Sequence, residues 1–191
     1  MTLYKKECQK PLQILDTAGY FEGYANVFNT IDHHNDVVLP GAFQKSIQKW
    51  KNQKRWPKML WQHDEKYIIG LWHDMYEDDK GLYVKGQLLL DLPKAQEAHA
   101  LLKAKALDSL SIGYSIKKSS NGMLYNKNVQ FLNELSLSEI SLVTFPSNED
   151  SKVSFVKNLP YFNQSQPDLL EALQQCCFRL QDFAQHLSFQ F

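Results

Sequence analysis

The chain has 191 residues, 43% of them hydrophobic, and equal numbers of Lys+Arg and Asp+Glu, 21 each, for a formal net charge of zero. That length suits one globular domain burying roughly 70% of the surface its unfolded form exposes, with no need of disulfide or metal staples. The balanced charge argues against a broad basic surface for nucleic acid and against an acidic disordered tail, so partners are expected to be met by shape and apolar contact.

The cysteines, Cys8, Cys176 and Cys177, are odd in number. An adjacent pair bridges to itself only with backbone strain, so the set fits a reducing cytoplasm. The first residues lead into no signal-like apolar stretch, and no run approaches the ~18 apolar residues of a membrane span. The expectation is a chain made and used inside a cell.

Tyr20 to Phe28 mixes aromatic and β-branched residues with partial alternation and predicts a strand, followed by a polar loop from Asn29 to Asn35. Phe43, Ile47 and Trp50 recur at helical spacing and predict a short helix from about Gly41 to Lys51. The basic stretch from Lys51 to Lys58, broken by Pro57, reads as an exposed loop. Met59 to Gln62 reads as a short buried strand leading to His63. Gly70 to Trp72 and Leu82 to Leu90 then read as a β-hairpin around the acidic turn at Glu77 to Gly81.

Asp91 is placed to cap the next helix, with Pro93 in its first turn and Ala95, Ala98, Leu101, Leu102 and Ala106 as its apolar face up to Leu107. Two strands follow, about Ser109 to Lys117 and Gln130 to Thr144, flanking a loop at Ser119-Ser120-Asn121-Gly122. Residues 158–167 have the polar, Pro-containing make-up of a linker. Residues 168–191 carry an amphipathic helix through Leu169, Leu173, Cys176, Leu180 and Leu187, opened by a capping box of Asp168 and Glu171. Short strands with a few helices and no βαβ alternation predict an α+β domain built around an antiparallel barrel or sheet over residues 1–157.

Three segments carry chemistry in a fixed order: His63 in Leu60-Trp61-Gln62-His63-Asp64, a serine in Ser109-Leu110-Ser111-Ile112-Gly113-Tyr114, and Glu139 in Leu137-Ser138-Glu139-Ile140-Ser141. A base, a nucleophile and an orienting acid are the parts of an acyl-transfer site. Around Ser111, small residues alternate with Leu110, Ile112, Tyr114 and Ile116, which puts the small ones on one strand face, open to a substrate backbone. The pattern does not choose between Ser109 and Ser111. Taken singly, each residue also has a plain structural explanation: a solvent-facing edge-strand serine, a polar histidine at a strand end, and a glutamate paired with a lysine. Asp32-His33-His34-Asn35-Asp36 is a rival cluster of metal-ligand types, which would point to a metal-dependent hydrolase if partners converged on it.

In order and spacing, about Phe21 to Val156 resembles the prohead serine proteases of tailed phages. Phe21-Glu22-Gly23-Tyr24-Ala25 resembles the family's opening strand and Asp36-Val37-Val38-Leu39-Pro40-Gly41-Ala42-Phe43 its loop and helix. Trp61-Gln62-His63-Asp64 resembles its histidine motif, and Leu137 to Pro146 with Asn148 its closing strand. The family's Ser-x-Gly-aromatic frame falls on Ser111, Gly113 and Tyr114; the chain departs from the pattern at Ser147, where alanine is common.

The resemblance implies a mainly antiparallel β-barrel with surrounding helices, similar to herpesvirus maturation proteases and often dimeric, with catalytic residues His63, Ser111 and Glu139. In the herpesvirus relatives the third member is a second histidine, which leaves open a Ser-His dyad with Glu139 structural. The implied function is an endopeptidase that removes the scaffolding part of the major capsid protein, and cleaves itself, inside the assembling prohead in the host cytoplasm. Its implied partners are the major capsid protein, the portal and prohead shell, and a second copy of itself, with no nucleic acid, membrane, metal or organic cofactor. The alternative is a catalytically inactive capsid scaffolding or assembly protein that retains the fold.

Overall fold

The computed structural model describes residues 19–155. The linker and carboxy-terminal helix expected from the sequence lie outside the described residues. In chain order the elements are β1 (Tyr20–Val27), β2 (Asp36–Val38), α1 (Gln44–Asn52), β3 (Lys58–Trp61), β4 (Asp64–Glu77), β5 (Gly81–Leu88), α2 (Pro93–Lys103), β6 (Ser109–Leu124), β7 (Lys127–Val143) and β8 (Val153–Phe155). The fold is α+β, as the sequence pattern predicts.

The strands form one sheet in the order β2-β7-β3-β4-β5-β1-β8, with β6 paired along the other edge of β7. All pairings are antiparallel except those of β2 with β7 and of β3 with β7, which are parallel. The ladders do not close into a barrel. Between β6 and β8 lies an isolated antiparallel bridge, Ser109 with Lys152, flanked by Leu110 N–H to the Ser151 carbonyl at 3.0 Å and Val153 N–H to the Asp108 carbonyl at 2.8 Å.

The core lies between the sheet and the two helices. Phe43 and Ile47 of the predicted helical stripe are buried, with Met59, Ile69, Leu110 and Leu135 packed in the same cluster. Helix α1 begins later than its apolar spacing suggests, because Gly41 at φ 91° and the residues after it form a turn first. On α2, Ala95, Ala98 and Leu102 are buried, whereas Leu101 is exposed. Leu92 rather than Asp91 sits at the N-cap, directly before Pro93. The helix also stops at Lys103, short of the expected Leu107, and Lys105 follows in the left-handed region.

Two further expectations are corrected. The chain does not loop out at Ser119 to Gly122; β6 continues through them, and the reversal comes at Tyr125-Asn126, both at positive φ, in the two-residue manner of a tight hairpin. The strand expected from Gly70 starts at Asp64, immediately after a turn at Gln62-His63.

Strand β7 carries the alignment that matters for function. On one edge β2 pairs with Gln130 to Leu132 and β3 with Glu139 to Leu142, leaving a gap between them. Side chains of α1 fill it at Leu137: its N–H donates to Ser46 Oγ at 2.9 Å and its carbonyl accepts Trp50 Nε1 at 3.0 Å. On the other edge the register slips, Gly113 facing Glu139 and Tyr114 facing Leu137, so Ser138 is an extra residue in β7. Such a bulge re-aims the residues beyond it, and α1 supplies the hydrogen bonds that the interrupted ladder cannot.

Candidate active site

Four residues of β6 and β7 form a two-by-two block. Ser111 lies opposite Ser141, and Gly113 opposite Glu139. Directly opposed residues of an antiparallel pair, and residues two apart on one strand, project to the same face. Ser111, at 7% exposure, therefore shares a face with Ser141 and Glu139. Gly113 is there for space: a Cβ at that position would collide with Glu139 Oε1 and sit 2.8 Å from its Cδ.

His63 reaches this block from the turn between β3 and β4. Gln62 and His63 take φ values of 53° and 59°, a left-handed pair that suits a tight hairpin but strains non-glycine residues. The Gln62 side chain holds the strained turn in place. Its Nε2 donates to Thr144 Oγ1 at 2.8 Å, and its Oε1 accepts the Thr144 N–H at 3.1 Å. The backbone N–H of Gln62 donates to the Leu142 carbonyl at 3.0 Å and that of His63 to Ser141 Oγ at 3.2 Å. Because β3 runs parallel to β7 with Trp61 beside Leu142, the turn falls at the end of β7 and over Glu139.

The imidazole and the carboxylate meet there, with His63 Nδ1 2.6 Å from Glu139 Oε1. The side chain of His63 is 43% exposed and that of Glu139 only 13%. The second carboxylate oxygen, Oε2, accepts the hydroxyl of Ser141 at 2.7 Å. An ionised carboxylate only accepts, so Nδ1–H would be the donor in this contact, and a neutral imidazole would then keep its lone pair on Nε2. Lys58 is the ladder neighbour of Glu139 on β3, yet the ion pair is with His63 rather than with a lysine.

The two candidate serines differ. The hydroxyl of Ser109 donates to Asp108 Oδ1 at 2.7 Å, whereas that of Ser111 makes no hydrogen bond among the described residues, including none to His63. Neither faces open solvent as an edge-strand serine would: Ser109 is 4% exposed. Burial pushes the Asp108 carboxyl up, but hydrogen bonds from Ser109 and Lys152 outweigh it and hold the group below the usual carboxylate range.

Beside Ser111 is a cavity of about 140 Å³, lined also by Asp32, His34, Tyr114, Ser147, Asn148 and Ser151. The Asp32 to Asp36 loop is thus a wall of this cavity. Asp32 Oδ1 accepts the N–H groups of His34 and Asp36, each at 2.8 Å, and His33 Nε2 lies 3.4 Å from Glu149 Oε1. Among the described residues no three His, Cys, Asp or Glu side chains converge as metal ligands. Tyr114, from the sequence motif, points its hydroxyl to Asp36 Oδ2 at 3.4 Å, and burial pushes that phenol up to about 12.

The structure therefore brings His63 and Glu139 into contact and sets Ser111 across the ladder from Ser141, which touches both. Sequence reasoning passed over Gln62 and Ser141. Period-2 spacing from Glu139 was the available signal for Ser141; Gln62 carried none, because its role depends on where β7 ends.

A family model of caudovirus prohead serine proteases matches residues 9–163. The chain is 36% identical over 142 residues to the prohead protease of Enterobacteria phage HK97, covering 74% of this chain and 61% of that one. It is 26% identical over 137 residues to the prohead protease of Escherichia phage T5, covering 72% and 62%. The matched region thus spans about three fifths of the length of either relative. Among solved structures it is similar to the bacteriophage T4 capsid assembly protease, at 13% identity and TM-score 0.49 over 65% of this chain and 82% of that one. It is also similar to the varicella-zoster virus protease, at 13% identity and TM-score 0.44 over 70% and 62%. With more than half of its length matched by the family model, the chain belongs to the caudovirus prohead serine protease family.

Proposed function

We propose that this protein is a serine endopeptidase of phage capsid maturation, with Ser111 as nucleophile, His63 as general base and Glu139 as the acid that orients it. The observation that carries the reading is the 2.6 Å contact of His63 Nδ1 with Glu139 Oε1, one ladder step from Ser111. With Nδ1–H committed to the carboxylate, Nε2 is the base that takes the Ser111 hydroxyl proton as Oγ adds to the scissile carbonyl carbon. The imidazolium returns that proton to the leaving amine nitrogen as the C–N bond breaks. A water molecule then adds to the acyl-enzyme by the same route, releasing the carboxylate product and restoring the hydroxyl. Glu139 stabilises the imidazolium during both steps. The absence of a Ser111 to His63 hydrogen bond is compatible with this, since such contacts often tighten only around substrate.

These proposed steps call for no metal or organic cofactor. The proposed substrate is the scaffolding part of the major capsid protein, together with the chain itself, cleaved inside the assembling prohead in the host cytoplasm. The family's name and the prohead proteases it resembles support this choice. Residues 1–157 are proposed as the catalytic domain, 158–167 as a linker, and 168–191 as a helix that docks on the prohead shell or on a second copy. We also infer that the sheet curls toward a barrel, a reading supported by the Ser109 to Lys152 bridge between β8 and β6.

The test is incubation of purified chain with its matching capsid protein. Site-specific cleavage that disappears with Ser111→Ala, at an unchanged melting temperature, is the expected result. Cleavage that persists in Ser111→Ala overturns the assignment. Deleting residues 160 to 191 is expected to leave peptide cleavage intact and to abolish entry into proheads.

A further inference from the structure

One fully buried oxygen touches both the acid and the turn that carries the imidazole. Ser141 Oγ donates to Glu139 Oε2 at 2.7 Å and accepts the backbone N–H of His63 at 3.2 Å, and Ser141 is 0% exposed. A serine hydroxyl has one proton to give. Here the incoming N–H of a fixed backbone occupies an acceptor lone pair, so the rotor is turned with its proton toward the carboxylate.

That matters because the last torsion of a glutamate side chain is broad and roughly two-fold. Left to itself, the Glu139 carboxylate would present either oxygen to His63 and would swing within the space that Gly113 leaves beside it. Holding Oε2 fixes the plane of the group and assigns Oε1 to Nδ1. The same hydroxyl ties the strained Gln62-His63 turn to β7, so one group sets the position of both partners in the 2.6 Å contact.

We propose that Ser141 is a positioning residue, which orients the Glu139 carboxylate toward His63 Nδ1 and anchors the His63 turn. Its burial bars it from attacking a substrate itself, and it acts through Glu139 and His63. The inference rests on the reading of Ser111, His63 and Glu139 as one catalytic unit, and it adds a fourth side chain to that unit. In the ladder it lies directly opposite Ser111, on the face that carries Glu139.

The experiment uses the full chain and a fluorophosphonate probe, which reads activation of the nucleophile without the natural substrate. In Ser141→Ala the limiting rate of Ser111 phosphonylation is expected to fall about 10²-fold, the size of loss that slight misplacement of a catalytic group produces, with the half-saturating probe concentration unchanged. Ser141→Thr, which keeps the hydroxyl, is expected to recover most of the rate. In a Glu139→Gln background, adding Ser141→Ala is expected to cost little more, since a residue acting through the carboxylate has nothing left to position. Proton NMR is expected to show a far-downfield His63 Nδ1–H signal in the unsubstituted chain and to lose it in Ser141→Ala.

Full-rate labelling of Ser141→Ala overturns the proposal, as does a loss that multiplies independently with Glu139→Gln. Should the unsubstituted chain fail to label at Ser111, the hydrolase reading falls, and the NMR signal still decides Ser141: its retention in Ser141→Ala overturns the positioning role. If Ser141→Ala does not fold, Ser141→Cys keeps the volume with a weaker donor and carries the same readings.

Discussion

The carboxylate of Glu139 occupies the space that a side chain at Gly113 would fill. The two residues are ladder partners on β7 and β6, so the glycine of the serine motif leaves room for the acid. Gly113→Ala is expected to push the carboxylate off His63 and to lower peptide cleavage by about 10²-fold, as sub-ångström to ångström displacements of catalytic groups do. The overlap should also cost about 1–3 kcal/mol of stability. Cleavage rate and urea unfolding of the same preparation check both; an alanine variant with full activity would show that Glu139 is not needed where it sits.

Ser111→Ala and His63→Ala are expected to be similarly damaging, with losses up to about 10⁶-fold in turnover, and the double variant little worse than either, because both residues are proposed to act in one step. Ser109→Ala is the paired control. Its hydroxyl is committed to Asp108, so removing it should cost about 0.5–1.5 kcal/mol of stability and leave cleavage standing. A dead Ser109→Ala beside an active Ser111→Ala would exchange their roles.

Gln62 holds a turn whose two residues both sit in the left-handed region. Gln62→Ala keeps the strain and removes both side-chain hydrogen bonds to Thr144, so it is expected to lower stability by about 1–3 kcal/mol and to loosen His63. Amide hydrogen exchange at His63 should speed up in this variant before exchange in the rest of β3 does. Uniform exchange across β3 and the turn would mean that Thr144 contributes no local restraint.

Asp108 links pH to stability at the junction of β6 and β8. Its carboxyl lies below the usual range because hydrogen bonds from Ser109 and Lys152 outweigh the upward push of burial. A depressed folded value means that the ionised form is favoured by folding. Its contribution is complete above the unfolded value of about 4 and is lost as pH falls through the folded value. The side chain is 37% exposed, so solvent screening keeps the effect below about 1 kcal/mol. Asp108→Asn is expected to narrow the difference in unfolding free energy between neutral and strongly acidic pH, as measured by urea titration at each. An unchanged difference would place the acid sensitivity elsewhere.

The residue types of the candidate site and their order are local properties of the sequence, but the pattern left Ser109 and Ser111 undecided, and only the family resemblance favoured Ser111. Alternation around Ser111 follows from the two-residue period of a strand, and the stripe of Phe43, Ile47 and Trp50 from the helical one. Local pattern also sufficed for the α+β class and for most strands. It failed at Ser119 to Gly122, where small polar residues suggested a loop, because a long hairpin needs only a tight turn at its tip, and Tyr125-Asn126 supplied it.

What only the tertiary structure decided is which groups meet. That His63 stands on a left-handed turn, with no glycine to announce it, follows from Gln62 reaching Thr144 across a parallel strand pair 82 residues away in sequence. That Glu139 faces an imidazole instead of a lysine follows from the register of three strands and the bulge at Ser138. Pairing between distant segments is set by the sum of buried contacts along whole strands, and no single segment carries that sum. The sequence by itself therefore named the serine, the histidine and the acid as candidates, while only the tertiary structure joined Ser141 to them and set the Glu139 carboxylate against Gly113.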